Sequence, residues 1–227
     1  MSKTLNDYFD HIYCINLSKR KDRWEQANLE FKKHNIEVER ISGIDGKQID
    51  LSNIKYSKHA EPYFSPGTAG CAMSFVSIFR DAKEKGYKTF LVLEDDVEFV
   101  DNFNQLFFQY LEQVPANWKL LYTSGNHRGK QYIKSVSENV IQVKNTLCAH
   151  FLGINAEILD DVINETSKYK MPCDWHLAEI QRRHPAYCII PPLTWQREGY
   201  SDNEDKHMNY DQYLKTFNIR NDFNMRY

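Results

Sequence analysis

Apolar residues come along this chain in two rhythms, short unbroken runs and stripes spaced three or four apart, and the rhythms alternate. "HIYCINL" (11–17) is an unbroken run and predicts a buried strand. Over 19–34, Trp24, Ala27 and Phe31 fall on one face and predict a helix, with Ser18 placed to cap it. "VERISG" (38–43) predicts a short strand and turn, and 45–67 is irregular, closed by "SPG". A stripe of Cys71, Phe75, Ile78 and Ala82 predicts a helix over 68–85 that stops at Gly86. "KTFLVLE" (88–94) then reads as a central strand. Beyond it come a helix over 103–114 ended by Pro115, a strand over 118–124, and a hairpin of "QYIKSV" and "NVIQVK" around "SE". A strand at 148–154, a helix at 156–166, a helix opened by Pro172 and a last strand, "YCIIPP", complete the pattern. The tail after 195 is polar and aromatic, with a helix expected at 209–217.

Strands alternating with helices imply an α/β fold, a mainly parallel sheet with helices on both faces and a mixed second half. There is no repeat or Pro/Gly-rich linker, so 1–227 reads as one domain. Ligands of such sheets bind beyond the carboxyl ends of strands. Both "INL|SKRKDR" and "LVLE|DD" lie at such ends.

Composition narrows the partners. A formal net charge of −2, with 26% charged residues, argues against a nucleic-acid binder working through a basic surface. The five cysteines are scattered, without a CxxC pair, and four sit among apolar residues. Reduced core thiols in a reducing compartment are the expectation, not a zinc site or a disulfide framework. The opening "MSKTLNDYFD" is too polar for a signal peptide, the chain closes on "NMRY" without a retrieval signal, and no apolar run reaches a membrane span. A cytoplasmic protein, able to work at the inner face of a membrane, is expected.

The chemistry concentrates at "LVLEDD". Residues two apart on an extended chain share a face, so Glu94 and Asp96 project together and Asp95 points elsewhere. Two carboxylates on one face suit Mg2+ or Mn2+. A strand end that simply reaches solvent gives the same pattern. In "SKRKDR", Lys19, Arg20, Lys21 and Arg23 crowd a helix start, where the dipole disfavours cations and a bound anion would offset the cost. A solvated face balanced by Asp22 and Glu25 accounts for the same residues. Together the two clusters describe a site for a metal-bridged diphosphate.

"GTAGCAMSFVSIFRDAKEKGYKTFLVLEDDVEF" resembles the hallmark segment of glycosyltransferase family 25, which includes bacterial lipooligosaccharide and collagen galactosyltransferases. "IYCINLSKRKDRWE", "ISGIDG", "MPCDWHL" and "PPLTWQREGYSDNE" resemble four further blocks of that family, in family order, so the likeness spans 12–204. One departure is Phe75, which follows Ser74 where the family commonly has His.

The resemblance implies a GT-A-like fold, with a nucleotide-binding half (about 1–125) and an acceptor half (about 126–227). It implies a UDP-sugar donor, galactose foremost, and inverting transfer in lipopolysaccharide-type biosynthesis. The acceptor would be a glycan, a lipid-linked glycan or a protein. Resemblance and residue chemistry together assign Glu94 and Asp96 to Mn2+ or Mg2+, with Asp202 or His207 as third ligand. They assign Asn16, Arg20, Arg23, Asp45 and Asp95 to the nucleotide, and Ser74, Trp175, Trp195, Gln196 and Ser201 to sugar or acceptor. Asp174 becomes the general base, although on its own it reads as an acid complementing a helix dipole. A nucleotidyltransferase would need a glycine-rich loop where "INLSKRKDR" has no glycine. A non-catalytic carbohydrate-binding paralogue is the other alternative.

Overall fold

The computed structural model describes residues 3–215, 217 and 219–220. Strand β1 (His11–Asn16) leads into α1 (Lys21–Lys33), then β2 (Glu39–Ser42), α2 (Pro66–Lys85), β3 (Thr89–Glu94), β4 (Val97–Phe99) and α3 (Phe103–Leu111). The chain continues through β5 (Leu120–Tyr122), β6 (Asn126–Arg128), β7 (Ile133–Ser135), β8 (Val140–Val143), β9 (Thr146–Leu147) and β10 (Phe151–Asn155). It then forms α4 (Leu159–Thr166), α5 (Cys173–Arg183), β11 (Ala186–Ile189), β12 (Thr194–Gln196), β13 (Gly199–Ser201), β14 (Lys206–Met208) and α6 (Asp211–Leu214).

Eight strands form the main sheet in the order β2-β1-β3-β10-β5-β11-β8-β7. Only β10 and β8 run against the rest, so the sheet is mixed but mainly parallel by direction. Strands from early and late in the chain interleave, so the two proposed halves share one sheet.

The apolar run of β3 has a simple cause. Phe90 and Val92 enter one core with Phe75, Ile78 and Phe79 of α2 and Leu177 of α5. Leu91 and Leu93 enter the other with Ala27 and Phe31 of α1 and Phe103 and Phe107 of α3. A strand covered on both faces has no polar side, which is why alternation disappears. All four residues are fully buried. At roughly 1.5–3 kcal/mol each, their burial is large enough to hold a charged strand end in place.

Some boundaries differ from the sequence expectation. Helix α1 starts at Lys21 and Ser18 does not cap it; its hydroxyl lies 2.7 Å from that of Ser42. Lys19 and Arg20 therefore precede the helix, and Lys21 and Arg23 stand in its first turn. Helix α2 starts at Pro66, because Ser65 caps it and proline is compatible with the first turn. Strands β4 and β12 pair with each other and were not foreseen, being too short for a clear period. Of the helix expected at 209–217, α6 is present and Thr216 lies outside the described residues, as does the closing "NMRY". Among the described residues no helix is long and apolar enough to cross a membrane.

Candidate active site

The carboxyl ends of β1 and β3 lie side by side, with Ile15 opposite Glu94. This register brings the basic segment after β1 against the acidic one after β3. Gln196 of β12 donates from Nε2 to Glu94 at 3.1 Å and to Asp96 at 3.3 Å, so these two side chains do share a face. Asp95 turns away and accepts from Asn16 Nδ2 at 2.5 Å. Asn16 is itself held by Arg40, whose Nε and a terminal nitrogen approach its Oδ1 at 3.1 and 2.5 Å. The Arg23 guanidinium bridges Asp95 and Asp96, reaching Asp96 at 2.9 Å.

The three acids are thus compensated unequally. Burial, then Asp96, raises the Glu94 carboxyl well above the usual range, and Arg23 offsets only part of this. Burial also raises Asp95, against the pull of Arg23. Burial disfavours charge on Arg23, but the surrounding carboxylates outweigh it and its pKa rises. Glu94 is left in a negative field with a neutral amide as its hydrogen-bond donor.

A chamber of about 110 Å3 opens on this cluster, lined by Lys19, Arg20, Arg23, Asp45, Ser74 and Asp202 among others. Arg20 binds Asp202 at 2.5 Å, and Lys19 binds Asp45 at 2.7 Å and Asp202 at 3.6 Å. Asp202 belongs to the turn between β13 and β14, which forms a strap along the chamber. Ser65 Oγ donates to Asn203 O at 2.7 Å, and Lys47 Nζ lies 2.8 Å from Asp205. Close backbone packing explains both glycines of "GTAGC". A Cβ on Gly67 would lie 2.2 Å from Asp202 O, and one on Gly70 would lie 2.3 Å from Ile44 O. The Ser74 hydroxyl is also structural, accepting from Ile44 N and donating to Gly70 O at 2.8 Å each.

A second chamber, of about 200 Å3, adjoins the first and shares Cys71, Phe75, Glu94, Gln196, Asn203 and Tyr210 with it. Asp174, in the first turn of α5, lines this second chamber with Trp175. Its Oδ2 accepts the Cys148 backbone N–H at 3.1 Å. Burial raises the Asp174 carboxyl above the usual range despite that bond and others from the backbone.

Several assigned residues are placed elsewhere. Trp195 alternates with Gln196 on β12 and faces away from both chambers; its Nε1 donates to Glu98 at 2.6 Å and Lys215 lies over its ring. His207 sits on β14 across from Tyr200, in a neighbouring cleft that includes Arg20, Arg23 and Asp96, but does not line the first chamber. Asp202 lines the first chamber with Glu94 and Asp96 but is engaged there by Arg20 and Lys19. Ser201 lines the first chamber and its hydroxyl accepts from Glu204 N at 3.3 Å. Phe75 is fully buried and borders both chambers. Asn126, Tyr63 and Tyr210 line the second chamber and went unremarked in the sequence, where nothing in their spacing marks them.

Among the described residues, no three His, Cys, Asp or Glu side chains are grouped to hold a metal ion alone. A donor-shared ion is different, because Mg2+-type sites often use one or two carboxylates plus substrate phosphates. The donor set of Glu94 and Asp96, two carboxyls on one face with only Asp96 paired to a cation among the described residues, fits that second kind.

The chain matches glycosyltransferase family 25 (LPS biosynthesis protein) over residues 9–174. It is 28% identical over 197 residues to procollagen galactosyltransferase 2 of Homo sapiens, covering 78% of this chain and 31% of that protein. It is 26% identical over 147 residues to inactive glycosyltransferase 25 family member 3 of Homo sapiens, covering 59% and 24%. The chain thus spans about a third or less of the length of these relatives. Among solved structures, A197 from STIV aligns over 92% of this chain and 95% of its own, with a TM-score of 0.46 and 12% identity. A glycosyltransferase involved in glycosylation of the major capsid of PBCV-1 aligns over 69% and 66%, with a TM-score of 0.35 and 13% identity.

Proposed function

We propose, from the premise that this chain belongs to glycosyltransferase family 25, that it moves a hexose, galactose foremost, from a UDP-sugar to an acceptor hydroxyl with inversion. The observation that carries this reading is the meeting of two chambers at Glu94 and Gln196. One chamber is rimmed by cations suited to a diphosphate, and the other holds a buried carboxylate with raised proton affinity.

In this mechanism Lys19 and Arg20 take the donor phosphates, exchanging their carboxylate partners for phosphate oxygens. Glu94 and Asp96 are the residues that would hold Mn2+ or Mg2+. When bound, the ion supplies charge neutralisation for the departing diphosphate. Asp95 acts indirectly, with Asn16 fixing Arg23 beside Asp96. The acceptor hydroxyl enters from the second chamber. Its oxygen forms a bond to the anomeric carbon as the bond from that carbon to the diphosphate oxygen breaks. The hydroxyl proton passes to the Asp174 carboxylate, and UDP leaves. Trp175 helps seat the acceptor, which is a glycan, a lipid-linked glycan at a membrane surface, or a protein. The setting that goes with this reading is reducing and cytoplasmic.

The test is nucleotide release across UDP-, GDP- and CMP-sugars, with and without Mn2+ and with a mixed acceptor pool. UDP-galactose with Mn2+ should give the fastest release. One matched relative is named inactive, so the assay has a real negative outcome: no release from any donor would favour the non-catalytic reading.

A further inference from the structure

The second chamber has an aromatic cluster of which the steps above use only Trp175. The Tyr63 ring lies 4.9 Å from that of Trp175, with 53° between their planes, and His59 stacks on Trp175 at 6.1 Å and 14°. Trp175 is buried, yet Tyr63 is 45% exposed, and both line the chamber. A single exposed tyrosine is ordinary. This one is held in place: it ends a short turn, Glu61–Tyr63, its carbonyl accepts from Thr68 Oγ1 at 3.3 Å, and Ser57 N donates to Lys170 O at 2.7 Å just before α5. The loop therefore presents a fixed ring beside Trp175.

The polar lining has a bias. Asp174, Glu94 and Glu204 contribute carboxylates, and Asn126 contributes an amide oxygen without a hydrogen-bond partner on a residue only 7% exposed. Arg128 is the one cationic side chain among the described lining residues. A ligand complementary to this chamber donates several hydrogen bonds, carries no anionic group facing the carboxylates, and has a flat C–H face for the aromatic rings. A phosphate-bearing ligand fails the second condition, and an ammonium group would meet Arg128.

We infer that Tyr63 and Trp175 form a saccharide subsite, and that the acceptor hydroxyl is carried by a sugar ring, not by a polypeptide side chain. The inference rests on the proposed function in taking the Asp174 chamber as the acceptor side. Ring hydroxyls meet Asp174, Glu204 and Asn126, while the ring's C–H face lies on Tyr63. Tyr63 is then a specificity residue reached before the reacting hydroxyl.

The test is binding, which needs no turnover. Methyl galactosides, methyl glucosides and lactose are titrated by saturation-transfer NMR against the parent chain, Tyr63→Ala and Tyr63→Phe, and a hydroxylysine-containing peptide is titrated in parallel. UDP affinity is measured calorimetrically on each variant as a check on folding and on the donor chamber. At least one saccharide should bind, about three- to tenfold more weakly in Tyr63→Ala, with near-parent binding in Tyr63→Phe. UDP affinity should stay constant. Saccharide binding indifferent to Tyr63→Ala, no binding by any saccharide, or peptide binding that alone depends on Tyr63 would each overturn the inference. Tyr63-dependent saccharide binding in a protein that turns over no donor would leave the subsite standing and remove the transfer reading. Active transfer with Tyr63-independent binding would do the reverse.

Discussion

Asp202→Asn separates two roles for one carboxylate by the sign of its effect. In this structure Asp202 neutralises Arg20 at 2.5 Å and lies 3.6 Å from Lys19. If those cations receive the donor diphosphate, Asp202 competes with phosphate, and removing its charge should tighten UDP binding. The size follows from exposure. Both partners of the Arg20 pair are 19% exposed, whereas Lys19 is 44% exposed and keeps Asp45 as a second partner. The Lys19 contact therefore contributes little after solvent screening, and the Arg20 pair, which also keeps Asp22, carries about 1 kcal/mol. That is about a fivefold gain in UDP affinity. Calorimetry in low salt, repeated at high salt, reads it; the gain should shrink as salt screens the pair. A metal ligand behaves oppositely: UDP affinity would fall, and the loss would be seen only with Mn2+ present. Either that fall or an unchanged affinity refutes the competition argument, and an unchanged value also detaches Lys19 and Arg20 from the diphosphate.

Four further outcomes are expected. Asp174→Asn should lower kcat by about 10²–10⁴-fold with UDP affinity intact; because burial raises this carboxyl and the base must be ionised, the acid limb of the parent's kcat/KM profile should lie above the ordinary aspartate value of about 4. Asp96→Asn should abolish Mn2+-dependent tightening of UDP binding, and retention of that tightening would remove Asp96 from the ion. Gly67→Ala, whose Cβ meets the Asp202 backbone, should push the strap away from the start of α2 and speed its proteolysis, whereas Gly70→Ala, whose Cβ meets Ile44 and Gly46 backbone, should lower overall stability by about 1–3 kcal/mol in urea melts. His127 and His150 are buried and held neutral, both pushed down to about 4, so unfolding takes up protons below about 6.5 and stability falls as pH drops from there towards 4. Each contributes roughly 2 kcal/mol of that loss by pH 5, and His127→Gln should flatten the urea-midpoint slope against the parent.

The sheet was legible because its central strands are covered on both faces, so Ile12–Ile15 and Phe90–Leu93 appear as unbroken apolar runs. Helices α2 and α5 were legible for the complementary reason: each buries one stripe, and Pro172 opens α5, whereas Ser65 and Pro66, which start α2, stand in the sequence as the close of an irregular stretch. What escaped was structure made by pairing distant short segments. Val97–Phe99 and Thr194–Gln196 are three residues each, and no local period reveals that they meet. That pairing sets which of Trp195 and Gln196 faces the carboxylates. The sequence motif carried both residues into the site, and strand alternation admits only Gln196. Asp202 escaped in another way. Its neighbours Ser201 and Asn203 are polar and half-buried, and its partners Lys19 and Arg20 are some 180 residues away, so only the fold could pair it with an arginine.

Three adjacent carboxylates at the end of a buried strand raise an electrostatic cost that the geometry distributes unevenly. Asp95 is matched by Asn16 and Arg23, and Asp96 by Arg23 and Gln196. Both fix Arg23, whose side chain is 17% exposed and would be costly to hold there without them. Glu94 receives one amide hydrogen and no cation at hydrogen-bond distance. If the cluster were purely structural, the same arginine could have been shared by all three. Instead the unmatched carboxylate is the one bordering both chambers. A cation arriving with a diphosphate would find Asp96 partly engaged by Arg23 and Glu94 engaged only by the Gln196 amide. Glu94 is therefore the carboxylate whose protonation state should respond most to donor binding: it should give up its proton as the ion arrives, so that UDP–Mn2+ binding releases protons measurable by calorimetry in buffers of different ionisation heat. Glu94→Gln should abolish that release while Asp95→Asn, which acts on Arg23, should not; equal release in Glu94→Gln would mean that the strain at this strand end is relieved in some way other than by a cation.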